Sequence, residues 1–342
     1  MEKIVLLGEP LLRLSPEGYQ RFAQANRLLM HFGGAEANVA VCLAGLGKEA
    51  CFVGKVPDNA LGEAFKASMR KYGVYTDYVV SGEGRLGIYY LENGMSVRPS
   101  SVIYDRANSA MSNAECSEFD WKAIFRGAEW FHLSGITPVI SEKAAELSLC
   151  AVMYAKEYGI PVSFDLNYRA KLWQTDIEKK QAVMAKIAEY ANYCFGNALD
   201  AYRTMGYQDN NLCFEKEEFE AYISEKSMKR MAEAYGFDGV FFTVRDSISA
   251  SDNKLSARGF YQGEFYQTDS YSLHIADRVG SGDAFAAGII YGLTKKLSAQ
   301  KILETGLAAG AIAHTIPGDM TVTSIEELNA VMENKGSGRV VR

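Results

Sequence analysis

The stretch Asp277-Arg278-Val279-Gly280-Ser281-Gly282-Asp283-Ala284-Phe285 stands directly before an apolar helical run, AAGIIYGL. Gly280 and Gly282 allow a sharp turn and a close approach of backbone to ligand. A helix opening near Asp283 leaves free N–H groups facing that turn, and together with the helix dipole they make an anion site. The amides of Gly280, Ser281, Gly282 and Asp283 could stabilise charge developing on a transferring phosphoryl group. Asp283 could accept the proton of an attacking hydroxyl. The competing reading is an ordinary helix start in which Asp283 is the N-cap, a contribution of about 1 kcal/mol.

The rest of the chain must position this turn. KIVLLG (3–8), ACFVGKV (50–56), EWFHLSG (129–135), IPVSFDLN (160–167), YCFGN (193–197) and GVFFTV (239–244) read as short apolar strands. Between them run 3.6-periodic segments, among them AEANVAVCLAGLG (35–47), LGEAFKASMRKYG (61–73), EKAAELSLCAVMYAKEYG (142–159), IEKKQAVMAKIAEY (177–190) and SMKRMAEAYG (227–236). This alternation predicts an α/β fold: a doubly wound, mostly parallel sheet with helices on both faces. Residues 9–32 and 84–106 break the rhythm. LGIYYLENGMSVRPSSVIYDR (86–106) reads as two alternating strands around a Glu-Asn-Gly turn. A small β lid formed by 9–32 and 84–106 is expected beside the carboxyl edge of the main sheet, where open α/β sheets bind ligands. The main domain then comprises 1–8, 33–83 and 107–342. LCFEKEEFEAYISEK (212–226) reads as a charged, solvated connection with some helix.

The 342 residues are 48% hydrophobic, enough for a full core, and carry a net charge of −6. That balance argues against nucleic acid and anionic membrane as partners, since both favour basic surface. Six cysteines (Cys42, Cys51, Cys116, Cys150, Cys194 and Cys213) form no CxxC pair, and they read as buried free thiols of a reducing cytosol. The four histidines lack zinc-site spacing. The N-terminal apolar run is too short for a signal peptide, and no run is long enough to cross a bilayer, so a cytoplasmic protein is expected. No GxxxxGK[ST] occurs, and no GxGxxG follows the first strand, which counts against a Walker-A nucleotidase and a nicotinamide dehydrogenase.

The segment DRVGSGDAF resembles the C-terminal signature of the ribokinase-like (PfkB) carbohydrate kinases, roughly D-x-V-G-A-G-D-x-F, with Ser281 in place of Ala. Gly33-Gly34-Ala35-Glu36-Ala37-Asn38-Val39-Ala40 resembles their N-terminal G-G-x-x-x-N-x-A. The resemblance covers essentially the whole chain. It implies that Asp283 is the catalytic base, that the N–H groups of Gly280 to Asp283 form an anion hole, and that ATP is the phosphate donor with Mg²⁺. It implies further that Gly34 lets the sugar approach, that Asn38 bonds its hydroxyls, and that Asp277 is the candidate for a monovalent cation such as K⁺. Asn197 and Asp200 match an N-x-x-[ED] element that arranges phosphates and Mg²⁺ through water. Thr243 matches T-x-G, except that Arg245 replaces the glycine and is a candidate phosphate contact. The small residues Ala309 and Gly310 could admit a flat adenine, or simply pack helices.

GEPLLRLSP, GGAEANVAV, GIYYLENG, RPSSVIYDRANSA, FHLSGITP and SFDLNYR with KLW resemble one subgroup, the 2-keto-3-deoxygluconate kinases. That likeness implies phosphorylation of a six-carbon keto acid at its terminal (6-) hydroxyl. Its carboxylate calls for Arg, whose planar fork matches two oxygens. Arg106 follows a lid strand, and Arg169 follows a strand end. Tyr89 and Tyr104 lie on the two lid strands, with Tyr89 facing in and Tyr90 out. A kinase of the same family for a neutral sugar (fructose, ribose or a nucleoside) is the alternative, and a sugar-sensing protein on the same fold is a more distant one. An exposed lid face would suggest a homo-oligomer.

Overall fold

The computed structural model describes residues 2–214, 216 and 218–334. Its main sheet runs through strands β1 (Lys3–Leu7), β4 (Glu49–Pro57), β5 (Tyr75–Gly82), β8 (Ala128–Ser134), β9 (Val162–Asp165), β10 (Tyr193–Phe195), β11 (Gly239–Ser247), β12 (Asp252–Tyr261), β13 (Glu264–Gln267) and β14 (Tyr271–His274). The order is β13-β12-β11-β10-β9-β8-β1-β4-β5, with β14 beside β12. Neighbours from β5 across to β11 pair in parallel, while β12 to β14 pair antiparallel. β1 lies inside the sheet between β8 and β4, and Ile4 to Leu7 are fully buried, because helices cover both faces. Helices Ala35–Gly45, Ser281–Thr294 and Ala299–Ala313 pack into one apolar layer. Helices Glu142–Glu157, Ile177–Ala188 and Glu225–Tyr235 pack into the other. The expected doubly wound α/β sheet is what the chain forms.

The second sheet has four strands in the order β3-β2-β6-β7: β3 (Leu29–Gly33), β2 (Leu11–Ser15), β6 (Gly87–Glu92) and β7 (Ser101–Asp105). β6 and β7 are the expected antiparallel hairpin, with Tyr89 opposite Tyr104. Their connection is longer than a Glu-Asn-Gly turn, since β6 ends at Glu92 and β7 begins at Ser101. Met95 and Arg98 bridge within it, and Arg98 donates to the Tyr19 carbonyl at 2.7 Å, so a side chain fastens the loop. β6 alternates as predicted: Tyr89 is buried, while Tyr90 meets Phe22 edge-on.

Two expectations are corrected. Cys116 and Cys150 are not free thiols but are bonded to each other, their Cα atoms 6.3 Å apart. The turn at Cys116–Glu118 packs on helix Glu142–Glu157 and brings the two side chains together, a contact that spacing 34 residues apart in sequence does not reveal. Cys42, Cys51 and Cys194 are buried and free, whereas Cys213 is exposed. The 212–226 connection is not merely solvated either. Phe214 stacks between Tyr202 and Tyr222, and Tyr222 and Ile223 are buried. Residues 215 and 217 of that segment lie outside the described residues.

Candidate active site

A cavity of about 500 Å³ opens between the carboxyl ends of β9, β10 and β11 and the small sheet. This is the edge at which an open α/β sheet presents its ligand site. It is lined by Gly34, Asn38, Tyr89, Tyr104, Arg106, Arg169, Asn197, Asp200, Thr243, Arg245, Asp277 and the turn Gly280 to Asp283. Thus all but two of the residues singled out in the sequence converge on one space. Ala309 and Gly310 do not line it. Helix Ala299–Ala313 lies against helix Ser281–Thr294, and a Cβ at Gly310 would meet the Ser281 carbonyl oxygen at 3.2 Å. These small residues permit close helix packing.

The glycine turn has the conformation its sequence demands. Gly280 is the N-cap of helix Ser281–Thr294 at φ +82°, and a Cβ there would overlap the Asp319 carbonyl. Asp283 is therefore the third helical residue and makes no cap. Its carboxylate instead accepts a 2.7 Å hydrogen bond from Asn38 Nδ2, on helix Ala35–Gly45. The bond joins residues 245 apart in sequence. Burial pushes the Asp283 carboxyl up to about 7; the Asn38 bond and the Arg169 charge pull it down, and Glu36 and Asp319 oppose them. A carboxyl poised near neutrality is suited to general-base work. Asp165 is also pushed up to about 7, by burial and then by Asp283.

Gly282 behaves differently from Gly280, because a Cβ there would meet nothing within 4 Å. The fold does not require this glycine, but a ligand seated on the helix mouth would. Gly282→Ala is accordingly expected to leave the melting temperature unchanged or slightly raised, since Ala is the better helix former by up to about 1 kcal/mol. Turnover should nevertheless fall at least about tenfold, because the methyl occupies the approach to the amides. Calorimetric melting together with steady-state kinetics checks both halves. Full activity in the variant would show that nothing approaches the turn there.

Four arginines line the cavity. Arg169 donates to the Tyr168 carbonyl at 3.1 Å, and among the described residues no carboxylate lies within ion-pair distance of it. Arg245 donates to Ser281 Oγ at 3.1 Å, so the two departures from the signature patterns contact each other. His314 stands at 3.4 Å on the other side of Arg245, with its Nδ1 on the Gly310 carbonyl. Burial lowers the His314 ring to about 4, so it stays neutral beside the cation. Arg278 donates to the carbonyls of Ser249 and Ala250. Arg106, by contrast, is already paired: with Tyr104 beneath it, it bonds the buried Glu9 through Nε at 2.8 Å and through Nη2.

Asn197 and Asp200 form a reciprocal capping box on helix Ala198–Met205. Asn197 Oδ1 accepts from Leu199 and Asp200 N–H groups, and Asp200 Oδ2 accepts from Asn197 N–H at 3.1 Å. The pair holds this helix mouth in place at the cavity wall. Burial raises the Asp200 carboxyl above its usual range. Asp277 is not free to ligate a cation through its carboxylate. Oδ1 accepts from the N–H groups of Arg278 and Val279, and Oδ2 from Arg13 and Gly318. Among the described residues no cluster of three or more His, Cys, Asp or Glu could hold a metal ion.

Several site residues escaped the sequence reading: Glu9, Arg13, Glu36, Asp165, Asn167 and Asp319. Glu36, buried in the first turn of helix Ala35–Gly45, accepts from Ser134 N–H at 2.7 Å, and burial pushes its carboxyl up to about 7. Asn38 Oδ1 and Asn167 Oδ1 are buried acceptors without partners, both on residues lining the cavity. Unpaired buried acceptors are rare and point to a donor supplied by ligand or water.

Residues 1–326 match the pfkB family carbohydrate kinases, and the chain belongs to that family. It is an ATP-dependent sugar kinase. A crystal structure of 2-dehydro-3-deoxygluconokinase from Thermotoga maritima is 43% identical, covers 97% of this chain and 100% of its own, and superposes with a TM-score of 0.91. A 2-dehydro-3-deoxygalactonokinase of Haloferax volcanii is 30% identical over 98% of both chains. A 2-dehydro-3-deoxygluconokinase of Bacillus subtilis is 26% identical over 92% of this chain and 90% of its own.

Proposed function

We propose that the chain transfers the γ-phosphoryl group of ATP to the terminal, 6-hydroxyl of 2-dehydro-3-deoxy-D-gluconate (2-keto-3-deoxygluconate). The observation that carries this reading is Asp283: a buried carboxylate held by Asn38 beside the open amides of a helix mouth, in a cavity with Arg169 at its rim, unpaired among the described residues. Relatives and a structural neighbour named for 3-deoxy keto acids support the substrate class.

In this reading the acid lies between the small sheet and helix Ala35–Gly45. Arg169 takes its carboxylate, Gly34 lies along the cavity wall beside it, and Asn38 Oδ1 and Asn167 Oδ1 accept from its hydroxyls. Tyr89 and Tyr104 cover it. The terminal hydroxyl lies against Asp283, which removes its proton as the oxygen attacks phosphorus. ATP enters from the side of Asn197, Thr243 and Arg245, and the amides of Gly280 to Asp283 receive the growing negative charge. Asp200, on the cavity wall, would hold through water the magnesium that accompanies ATP, and that ion would supply positive charge against the phosphates. Residues 9–32 and 84–106 act as a lid that excludes water from the reacting phosphate. Leu29, Met30 and Ile103 are exposed on its strands, which suits pairing with a second copy of the chain. We place the enzyme in the cytoplasm, where ATP is available.

Release of ADP is the deciding measurement, on a panel holding 2-dehydro-3-deoxygluconate, its galacto epimer, gluconate, fructose and ribose. The gluco keto acid is expected to show a kcat/KM at least about 100-fold above the neutral sugars, the discrimination that one charged contact can supply. Comparable rates on fructose or ribose would overturn the assignment. A preference for the galacto epimer would move it to that acid.

A further inference from the structure

Fully behind the glycine turn lies a buried charge cluster that the phosphoryl-transfer reading does not use. Arg13, on β2 of the small sheet, is 2% exposed. Its Nη2 donates to Asp277 Oδ2 at 2.6 Å and its Nη1 to Asp319 Oδ1 at 3.1 Å. Asp277 in turn fixes the N–H groups of Arg278 and Val279, the two residues leading into Gly280. Asp319 receives the Tyr89 hydroxyl on Oδ2, and its carbonyl abuts Gly280. One guanidinium therefore joins the small sheet, the turn and the 318–319 loop. The four oxygens of the two carboxylates are all engaged. A second cation at Asp277 would meet a guanidinium already in contact with that carboxylate, and like charges at such separations in a buried setting repel strongly.

We propose that Arg13 is a built-in monovalent cation for the glycine turn, a positioning residue that makes phosphoryl transfer in this chain independent of potassium. A fixed guanidinium provides the same unit charge without an ion-binding step, and its fork sets the angle between Asp277 and Asp319. The cation that sequence resemblance implied at Asp277 is thereby replaced by a side chain reaching in from the small sheet. The proposal rests on the turn being the site of transfer, but not on which sugar is accepted.

The first test uses the unaltered enzyme, with KCl exchanged for choline chloride at constant ionic strength and any accepted sugar. The kcat is expected to stay within about twofold, and a loss of about tenfold or more that K⁺ restores would overturn the proposal. Melting curves in the two salts, which need no sugar, are expected to coincide; stabilisation by K⁺ alone would reveal a bound ion. The second test uses Arg13→Ala and Arg13→Lys. Arg13→Ala should lose at least about tenfold in kcat with a smaller change in the KM of ATP, and millimolar guanidinium or added K⁺ should restore part of it. Arg13→Lys, which keeps the charge, should retain more activity than Arg13→Ala and remain indifferent to K⁺. Should Arg13→Ala fail to fold, Arg13→Lys and the unaltered enzyme decide the matter: K⁺ dependence in the unaltered enzyme overturns it. A folded Arg13→Ala with full activity in choline would overturn it as well.

Discussion

Asp283→Asn is expected to lower kcat by about 10²–10⁴-fold, the usual contribution of a positioned base, while the acid sugar still binds within about threefold of its normal affinity. The substitution is nearly isosteric, and its amide oxygen can still accept from Asn38 Nδ2, as Asp283 Oδ2 does. What disappears is the group that receives the proton. The pH dependence makes the same point. Burial holds the Asp283 carboxyl near 7, so on the acid side most of it is protonated and unable to act as base. The kcat/KM should therefore rise with pH, about tenfold per unit below neutrality, and level off above it. Asp165 titrates in the same range through burial and Asp283, so the limb reports the two carboxyls together. In Asp283→Asn the limb should vanish along with the rate. Sugar affinity by calorimetry and the pH profile by ADP release provide the check. A variant with near-normal kcat would remove Asp283 from the mechanism.

Arg169→Ala carries the second large expectation: a KM for the acid sugar raised by about 10–100-fold, with the KM for ATP within about threefold. The basis is that a hydrogen bond to a charged group contributes about 1.5–3 kcal/mol. Arg169 is suited to this because its only described donation is to a neighbouring carbonyl, which leaves its charge available. Arg106 is not equivalent. Its fork already holds buried Glu9, which also receives Ser109 Oγ at 2.6 Å, so its removal would strand a carboxylate in the protein. A neutral sugar that the enzyme accepts slowly provides the control, since its KM should ignore the Arg169 change. Equal losses for acid sugar and ATP would count against a carboxylate contact.

The parts of this site that could be read in advance are those with local grammar. Strand–helix alternation announces the sheet because parallel strands buried on both faces are short apolar runs, as KIVLL and VSFD are. The turn at 280–283 and Asn38 stand out because backbone approach and a helix mouth require particular residue types in order. Glu9, Arg13 and Asp319 gave no such sign. Each is a charged residue in an apolar or turn-like stretch, and its meaning depends on partners up to 306 residues away. Their pairing is a product of the tertiary fold, as is the meeting of Cys116 with Cys150. The antiparallel strands β12 to β14 were likewise unread, since half-buried ribbon strands with mixed polar faces resemble loops. Ala309 and Gly310 left two readings open: a stripe of small residues says that something comes close, and a neighbouring helix does.

The bond between Asn38 and Asp283 also bears on how the protein is made. The ribosome releases the first of these residues long before the second. At about 5–20 residues per second, the 245 positions between them correspond to roughly 10–50 s of elongation. During that interval the face of helix Ala35–Gly45 that later meets helix Ser281–Thr294 has no partner. β1, β4, β5 and β8 can already assemble, because all of them precede residue 135. The nascent chain thus carries half a sheet with one apolar flank bare, a natural client for a chaperone, and truncated products should precipitate rather than idle.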